Sequence, residues 1–283
     1  MLFHTFVHIP GIGEATERRL WEAGVLDWDR FVAPYPAFLS GQRIRMISAH
    51  LERGRELLGR PAVDFARHLP PAQRWRLYPH YRESTAFLDI ESTGLRSGES
   101  VITTISLYDG RSVVTYVRGE NLEQFSEDID RYQLLVTYNG AAFDLPMLEG
   151  HFGFRFRQAH IDLRPLLRSL GFVGGLKGCE RQLGLDRGQL AGLDGYCAVL
   201  LWNEYQRSRD RRFLETLLAY NVEDTVNLEL LLVKACNLKL AGTPFAASHF
   251  LPLPPEPWRP FQADPEVVAR LQGGGSFSRP RGL

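Results

Sequence analysis

Residues 85–95 read TAFLDIESTGL, and the fold turns on how that run is taken. Phe87, Leu88 and Ile90 are apolar or β-branched, and STG closes the run with turn chemistry, so the pattern predicts a strand. Side chains alternate along a strand, which puts Asp89 and Glu91 on one face. Two like charges that close repel, and withdrawing them from water adds to the cost. No basic residue within the run offsets them. Two readings follow: a solvated acidic strand end, or a site for a hard divalent cation such as Mg²⁺ or Mn²⁺, which takes carboxylate oxygens.

Downstream, SVITTISLYDG (100–110) and RSVVTYVRG (111–119) read as two more strands joined at YDGR, and NLEQFSEDIDRY (121–132) as a short helix. LLVTYNG (134–140) is a fourth strand, FDLPMLEGHFG (143–153) starts a helix, and AHIDLRPLLRSLG (159–171) is a short strand running into another. Residues 176–240 read as helix apart from the break GLDRGQLAGLDG. A three-strand meander followed by alternating strands and helices predicts a mixed sheet flanked by helices. Upstream, residues 1–83 read as a small helical module, with HIPGIGEATERRLWEAGVLDWDRFVA and SGQRIRMISAHLERGRELLGR as helical segments and the proline-bearing RHLPPAQRWRLYPHY as connector. The division is therefore 1–83, 84–241 and a Pro/Gly-rich tail, 242–283, expected to be loosely tethered except for about two turns of helix at DPEVVARLQ.

The 283 residues are 44% hydrophobic and 23% charged, ordinary for a globular chain with a full core. No apolar run has the length of a membrane span and the N-terminus has no signal-peptide pattern, so a cytoplasmic protein without membrane contact is expected. Cys179, Cys197 and Cys236 are dispersed, which argues against a disulfide framework or a zinc site. The net charge is zero, yet only Lys177, Lys234 and Lys239 among the 33 basic residues are lysine. Arginine suits bidentate phosphate contacts, although codon usage in a GC-rich genome explains the bias more readily.

Two further carboxylates stand in suggestive settings. In VTYNGAAFDLPML, Asn139 and Gly140 make a turn and Asp144 opens a helix, where the helix dipole favours its anion. In LLAYNVEDTVNLELLL, Tyr220 and Asp224 lie four apart on one helical face. Leu217, Leu218, Leu228, Leu231 and Leu232 are core candidates, Asp224 is expected near the buried side, and Glu223 and Glu229 are assigned to solvated faces. A core tyrosine is the commoner role for Tyr220 taken alone.

In chain order the three segments read Asp-x-Glu, Asn-x-x-x-Phe-Asp and Tyr-x-x-x-Asp. This resembles the DEDD superfamily of 3′–5′ exonucleases on the ribonuclease-H-like fold, over about residues 85–240. The histidine branch would carry histidine five residues before the last aspartate. Here that residue is Ala219, so the likeness is to the DEDDy branch. The segments FLDIESTGL, TYNGAAFDLPML, HIDLRPLLR, GLKGCERQLGL and YNVEDTVNLELL are together similar to the YprB-type ribonuclease-H-like domain of bacteria. The resemblance implies an α/β chain with a ribonuclease-H-like mixed sheet behind the helical module. It implies that Asp89, Glu91, Asp144 and Asp224 hold two Mg²⁺ or Mn²⁺ ions for phosphodiester hydrolysis, and that Tyr220 orients the attacking water. The implied substrate is DNA or RNA presenting a single-stranded 3′ end. Asn139 is counted among nucleic-acid contacts. His160 and Asp162 are candidates to shape the site from outside the metal ligands, Asp162 having the equal alternative of capping the LRPLLRSL helix. The rival function is a nucleic-acid-binding or scaffold domain with weak or no catalysis on the same fold.

The segment HIPGIGEATERRLWEAGV resembles a helix-hairpin-helix, in which Gly11 and Gly13 would let backbone N–H groups approach a phosphate, with Arg18 and Arg19 in support. Its alternative is a turn that packs against the catalytic domain. One such hairpin is legible, where functional ones commonly come in pairs.

Overall fold

In a computed structural model the protein is described over residues 1–94 and 100–273. Leu95, the end of the opening stretch, and the last ten residues of the tail lie outside the described residues. Five strands form one mixed sheet: β1 (Thr85–Ser92), β2 (Ile102–Tyr108), β3 (Val113–Val117), β4 (Leu134–Thr137) and β5 (Ala159–Asp162), in the order β3-β2-β1-β4-β5. The meander β1–β2–β3 is antiparallel, and β4 and β5 run parallel to β1. The expected mixed α/β architecture is the one found.

Eleven α-helices surround the sheet among the described residues. The N-terminal part holds α1 (Glu14–Glu22), α2 (Gly41–Leu58), α3 (Ala62–Ala66) and α4 (Tyr78–Tyr81). The sheet region carries α5 (Phe125–Asp128), α6 (Asp144–Phe152), α7 (Leu163–Arg168), α8 (Gly175–Gln182), α9 (Gly195–Ser208) and α10 (Arg211–Ala241), and α11 (Pro265–Gln272) follows. The short helix expected over 121–132 is a single α-turn between two 3₁₀ turns. The helical span after residue 176 is interrupted twice, once at the glycine-rich break and again between α9 and α10. There Arg209 takes φ +58° and the Asp210 side chain accepts from Arg212 N at 3.0 Å, starting α10.

Alternation along β1 sorts two layers. Ala86, Leu88 and Ile90 pack with Ile105, Leu107, Leu135 and Leu148 on the α6 side. Phe87, Asp89 and Glu91 face α10, which crosses β1 and β2. Leu217, Leu218, Leu228, Leu231 and Leu232 are all buried, as their spacing implied. α10 is buried almost all round, as a central helix must be to carry so many leucines. Just after Glu91 the β1–β2 register slips: Glu91 pairs with Thr104 but Ser92 with Ile102, leaving Thr103 as an extra residue. Such a bulge bends and twists the strand locally.

The connector 67–81 folds into a 3₁₀ helix (Pro71–Leu77) and α4, and Trp75, Leu77, Tyr78 and Tyr81 are buried. One hydrophobic cluster runs from Leu2 and Phe6 through these residues to Phe87 and to Leu228, Leu231 and Leu232 of α10. The segment after residue 242 is packed rather than loosely tethered as far as it is described, because it buries Phe245, Val267 and Val268 and starts α11 on an Asp264 cap. Glu223 and Glu229 are buried, not solvated. Arg259 pairs with Glu223 at 2.6 Å, while Tyr78 and Arg82 hold Glu229 at 2.9 and 3.0 Å. Among the described residues, no helix is long and apolar enough to cross a membrane.

Candidate metal and nucleic-acid site

Asp89 and Glu91 project from β1 toward α10, and α10 answers with Tyr220, Asn221 and Asp224 on adjacent turns. Carboxylate oxygens of Asp89, Glu91 and Asp224 all lie within 4.8 Å of one another. Asn221 fixes the arrangement: its Nδ2 donates to Asp89 Oδ2 at 2.7 Å and its Oδ1 accepts from Thr104 Oγ1 at 3.1 Å. Asp144, first residue of α6, reaches the same strand from the other layer, where its Oδ1 accepts from Ile90 N at 3.3 Å. It is not one of the three acids in the tightest cluster.

The electrostatics follow from crowding acids out of water. Burial pushes the Asp89 carboxyl up to about 7, against the opposing hydrogen bond from Asn221 and the charges of Arg187 and Lys177. Glu91 is raised well above the usual carboxylate range by burial and then by Asp89. Asp144 is raised by burial and then by Asp89, and these outweigh the helix-start effect expected to favour its anion. Carboxylate oxygens are the donors that hard divalent cations prefer, and a cation would relieve the repulsion that raises these groups. The residues present therefore fit Mg²⁺ or Mn²⁺.

Tyr220 is buried at the same place. Its hydroxyl accepts from Lys177 Nζ, and the ammonium stands 4.4 Å from its ring centroid. Burial and the nearby Glu91 hold the phenol above its ordinary pKa, so it stays protonated. Burial and the charge of Arg187 lower Lys177 to about 8. Four participants were not singled out from sequence: Lys177, Glu180, Arg187 and Asn221. Lys177 and Arg187 were visible as charges in a glycine-rich stretch, but nothing local to it shows that they reach α10. Arg187 bridges Glu180, at 3.0 Å, and Asp224. Asn227 donates to Glu180 at 2.8 Å and to Glu223 at 3.1 Å, and Arg259 closes the line on Glu223. A continuous polar chain thus links the C-terminal segment to Asp224.

The remaining candidates lie outside the three-acid cluster, with Asp162 near enough for its charge to raise the Asp144 carboxyl. Thr137, His160 and Asp162 lie on the α6 face of the sheet, opposite to Asp89 and Glu91, because Leu135 pairs with His160 while Phe87 pairs with Val136. Asp162 caps α7, accepting from Arg164 N at 3.0 Å, and also receives Asn139 N at 2.8 Å. His160 Nε2 is 2.9 Å from Thr137 Oγ1, and burial lowers its pKa to about 4. These two line a cleft of about 350 Å³ with Trp75 and Leu166 at the edge strand. Asn139 takes φ 65° in the turn after β4, and its Oδ1 accepts from Arg164 at 2.7 Å. In the N-terminal part, Ile12 N bonds Ile9 O at 3.0 Å and Gly11 has φ +76°, a type II turn with Pro10 leading. Gly11 and Gly13 are exposed and Gly13 precedes α1, but a 3₁₀ turn (Leu2–His4) stands where a first hairpin helix would.

Set beside known proteins, residues 86–236 match the RNase_H superfamily, a span that contains Asp89, Glu91, Asp144, Lys177, Arg187, Tyr220 and Asp224. No curated protein matches the chain's sequence. Among solved structures the chain is similar to the family B DNA polymerase of the hyperthermophilic archaeon Pyrobaculum calidifontis, with 16% identity and a TM-score of 0.43. The likeness covers 57% of this chain and 26% of that one.

Proposed function

The chain belongs to the RNase_H superfamily, and from that premise we propose that it is a metal-dependent nuclease, a 3′–5′ exonuclease of the DEDDy kind acting on single-stranded ends of DNA or RNA. One observation carries the reading: Asp89, Glu91 and Asp224 place carboxylate oxygens within 4.8 Å of one another. Asp144 stands beside them as the fourth acid of the set. These four residues are the ones that would hold two Mg²⁺ or Mn²⁺ ions. Such ions supply a nucleophilic water and neutralise charge on the scissile phosphate and the leaving oxygen.

The chain's own groups do the positioning. Lys177 donates to the Tyr220 oxygen, so the phenolic proton is free to point at a second acceptor. Because the phenol keeps that proton, Tyr220 serves as a hydrogen-bonding guide for the attacking water and not as a base. Asn221 keeps Asp89 turned toward the cluster. The exposed turn at Gly11–Gly13 and the flanking Arg18 are assigned to backbone phosphates of the strand. The likeness to the YprB type and to a helix-hairpin-helix belongs to this same proposal.

The test is direct. Single-stranded DNA and RNA, 5′-labelled, are incubated with the full chain in Mg²⁺, Mn²⁺ or EDTA. A ladder of shortened 5′-labelled products that EDTA abolishes, and that Asp224→Asn lacks, supports the reading. Binding without cleavage in either metal would leave a nucleic-acid-binding module instead.

A further inference from the structure

We infer that Arg187 binds the phosphodiester of the substrate, and that it becomes available by giving up Asp224. The inference rests on the nuclease reading above and adds a residue to it. Arg187 lies in the glycine-rich break after α8, and its side chain is only 6% exposed. One terminal nitrogen is on Glu180 Oε2 at 3.0 Å and the other on Asp224 Oδ1. Its Nε is buried with no hydrogen-bond partner among the described residues. A guanidinium is a rigid fork of five donors, suited to two parallel bonds with a phosphate. Here the fork is split between two different carboxylates, and its Nε is left unused among the described residues.

Asp224 carries two demands. Its carboxylate completes the cluster with Asp89 and Glu91, and the same carboxylate is the one Arg187 holds. A cation bound there competes with the guanidinium for it. Glu180 makes no such conflict: it is fully buried, receives Asn227 at 2.8 Å, and is tied through Asn227 and Glu223 to Arg259. Arg187 therefore has one fixed contact and one exchangeable contact, a pivot about Glu180.

Chemistry points to what the released end meets. Lys177 and Arg187 are the cations that act on Asp89 and Glu91, and a guanidinium freed from a carboxylate beside bound divalent ions is matched by the anionic oxygens of a phosphodiester. Lys177 is already engaged with Tyr220, so Arg187 is the cation with a donor to turn.

Two affinities moving in opposite directions test this. Mn²⁺ is titrated calorimetrically into the full chain without substrate, for wild type, Arg187→Gln and Arg187→Lys. Binding of a non-cleavable phosphorothioate oligonucleotide is measured separately in saturating Mn²⁺ over a range of salt. Arg187→Gln is expected to bind Mn²⁺ on the order of tenfold more tightly, since a competing charge-assisted bond is gone. It should bind the oligonucleotide roughly tenfold more weakly, with a salt slope smaller by about one. Arg187→Lys keeps the charge but not the fork, so it should keep the wild-type salt slope yet lose oligonucleotide affinity. If Arg187→Gln weakens Mn²⁺ binding along with melting temperature, Arg187 is a structural brace and the inference is wrong. Unchanged oligonucleotide affinity in that variant overturns it as well. Failure of the wild type itself to bind Mn²⁺ would instead overturn the nuclease reading on which it rests.

Discussion

Replacing Asp89 by asparagine should make the metal-free protein more stable at neutral pH, although it removes a charge from the proposed active site. Asp89 titrates near 7 in the folded chain, against about 3.9 for an unfolded aspartate. The sign follows from which state binds the proton more tightly. Below about pH 4 both states are protonated and there is no penalty. Between about 4 and 7 the unfolded chain releases its proton first, so stability falls as pH rises, and the loss is complete above 7. Three pH units at 1.36 kcal/mol each set an upper bound of about 4 kcal/mol. The carboxylate is partly open to solvent, which screens it, so about 2 kcal/mol is the working figure. Asparagine keeps the oxygen that accepts from Asn221, so the hydrogen bond survives while the desolvated charge and its repulsion of Glu91 and Asp144 do not.

The assay is urea unfolding in EDTA at pH 5 and pH 7.5 for both proteins. Wild type should lose stability between the two pH values and Asp89→Asn should lose less, ending about 2 kcal/mol above wild type at pH 7.5. Adding Mn²⁺ should reverse the order, because only an intact site gains stability by binding. An Asp89→Asn protein less stable than wild type in EDTA at pH 7.5 would refute the reasoning, since Asp89 would then be held ionised by favourable partners.

Tyr220→Phe should lower the single-turnover rate by ~10²–10⁴-fold while Mn²⁺ affinity stays near wild type; a rate within a few-fold would return Tyr220 to a packing role. Glu17→Gln should cost about 3–5 kcal/mol in urea unfolding, because it leaves Arg76 charged and buried where Glu17 now holds it at 2.7 Å. Arg18→Glu should weaken oligonucleotide binding and reduce its salt slope without changing the rate on a short saturating substrate; an unchanged slope would assign the Gly11–Gly13 turn to packing alone.

The acids of β1 were legible because alternation is local: once 85–92 is a strand, Asp89 and Glu91 must share a face. Leucine spacing likewise disclosed α10 and the side of it that Asp224 occupies. What stayed hidden depended on distant partners. Glu223 and Glu229 looked like surface acids until Arg259, Tyr78 and Arg82 arrived from far along the chain. His160 and Asp162 lie on the opposite face of the sheet from Asp89 and Glu91, which strand order alone does not give, although the charge of Asp162 still reaches Asp144. The break before α10 has neither glycine nor proline, only Arg209 in a left-handed conformation. The segment after 242 has the composition of a linker, yet Phe245, Val267 and Val268 are enough to dock it.

The site handles its surplus of negative charge in two ways that differ by side. On the strand side, Asp89, Glu91 and Asp144 make no salt bridge among the described residues, and burial outweighs the charges of Lys177 and Arg187 near Asp89 and Glu91, so these groups hold protons more tightly. On the helix side, Glu180 and Asp224 share Arg187, a cation supplied by the chain. A divalent ion entering the cluster has to compete with both devices. It meets protons on one side and a guanidinium on the other. The proton competition fades as pH rises through about 7, whereas a guanidinium keeps its charge at any pH at which the fold survives. Metal affinity should therefore climb with pH and then level off at a ceiling set by Arg187, so a neutral substitution at Arg187 should raise that plateau and, because the arginine charge also opposes the rise of Asp89, shift the midpoint to higher pH.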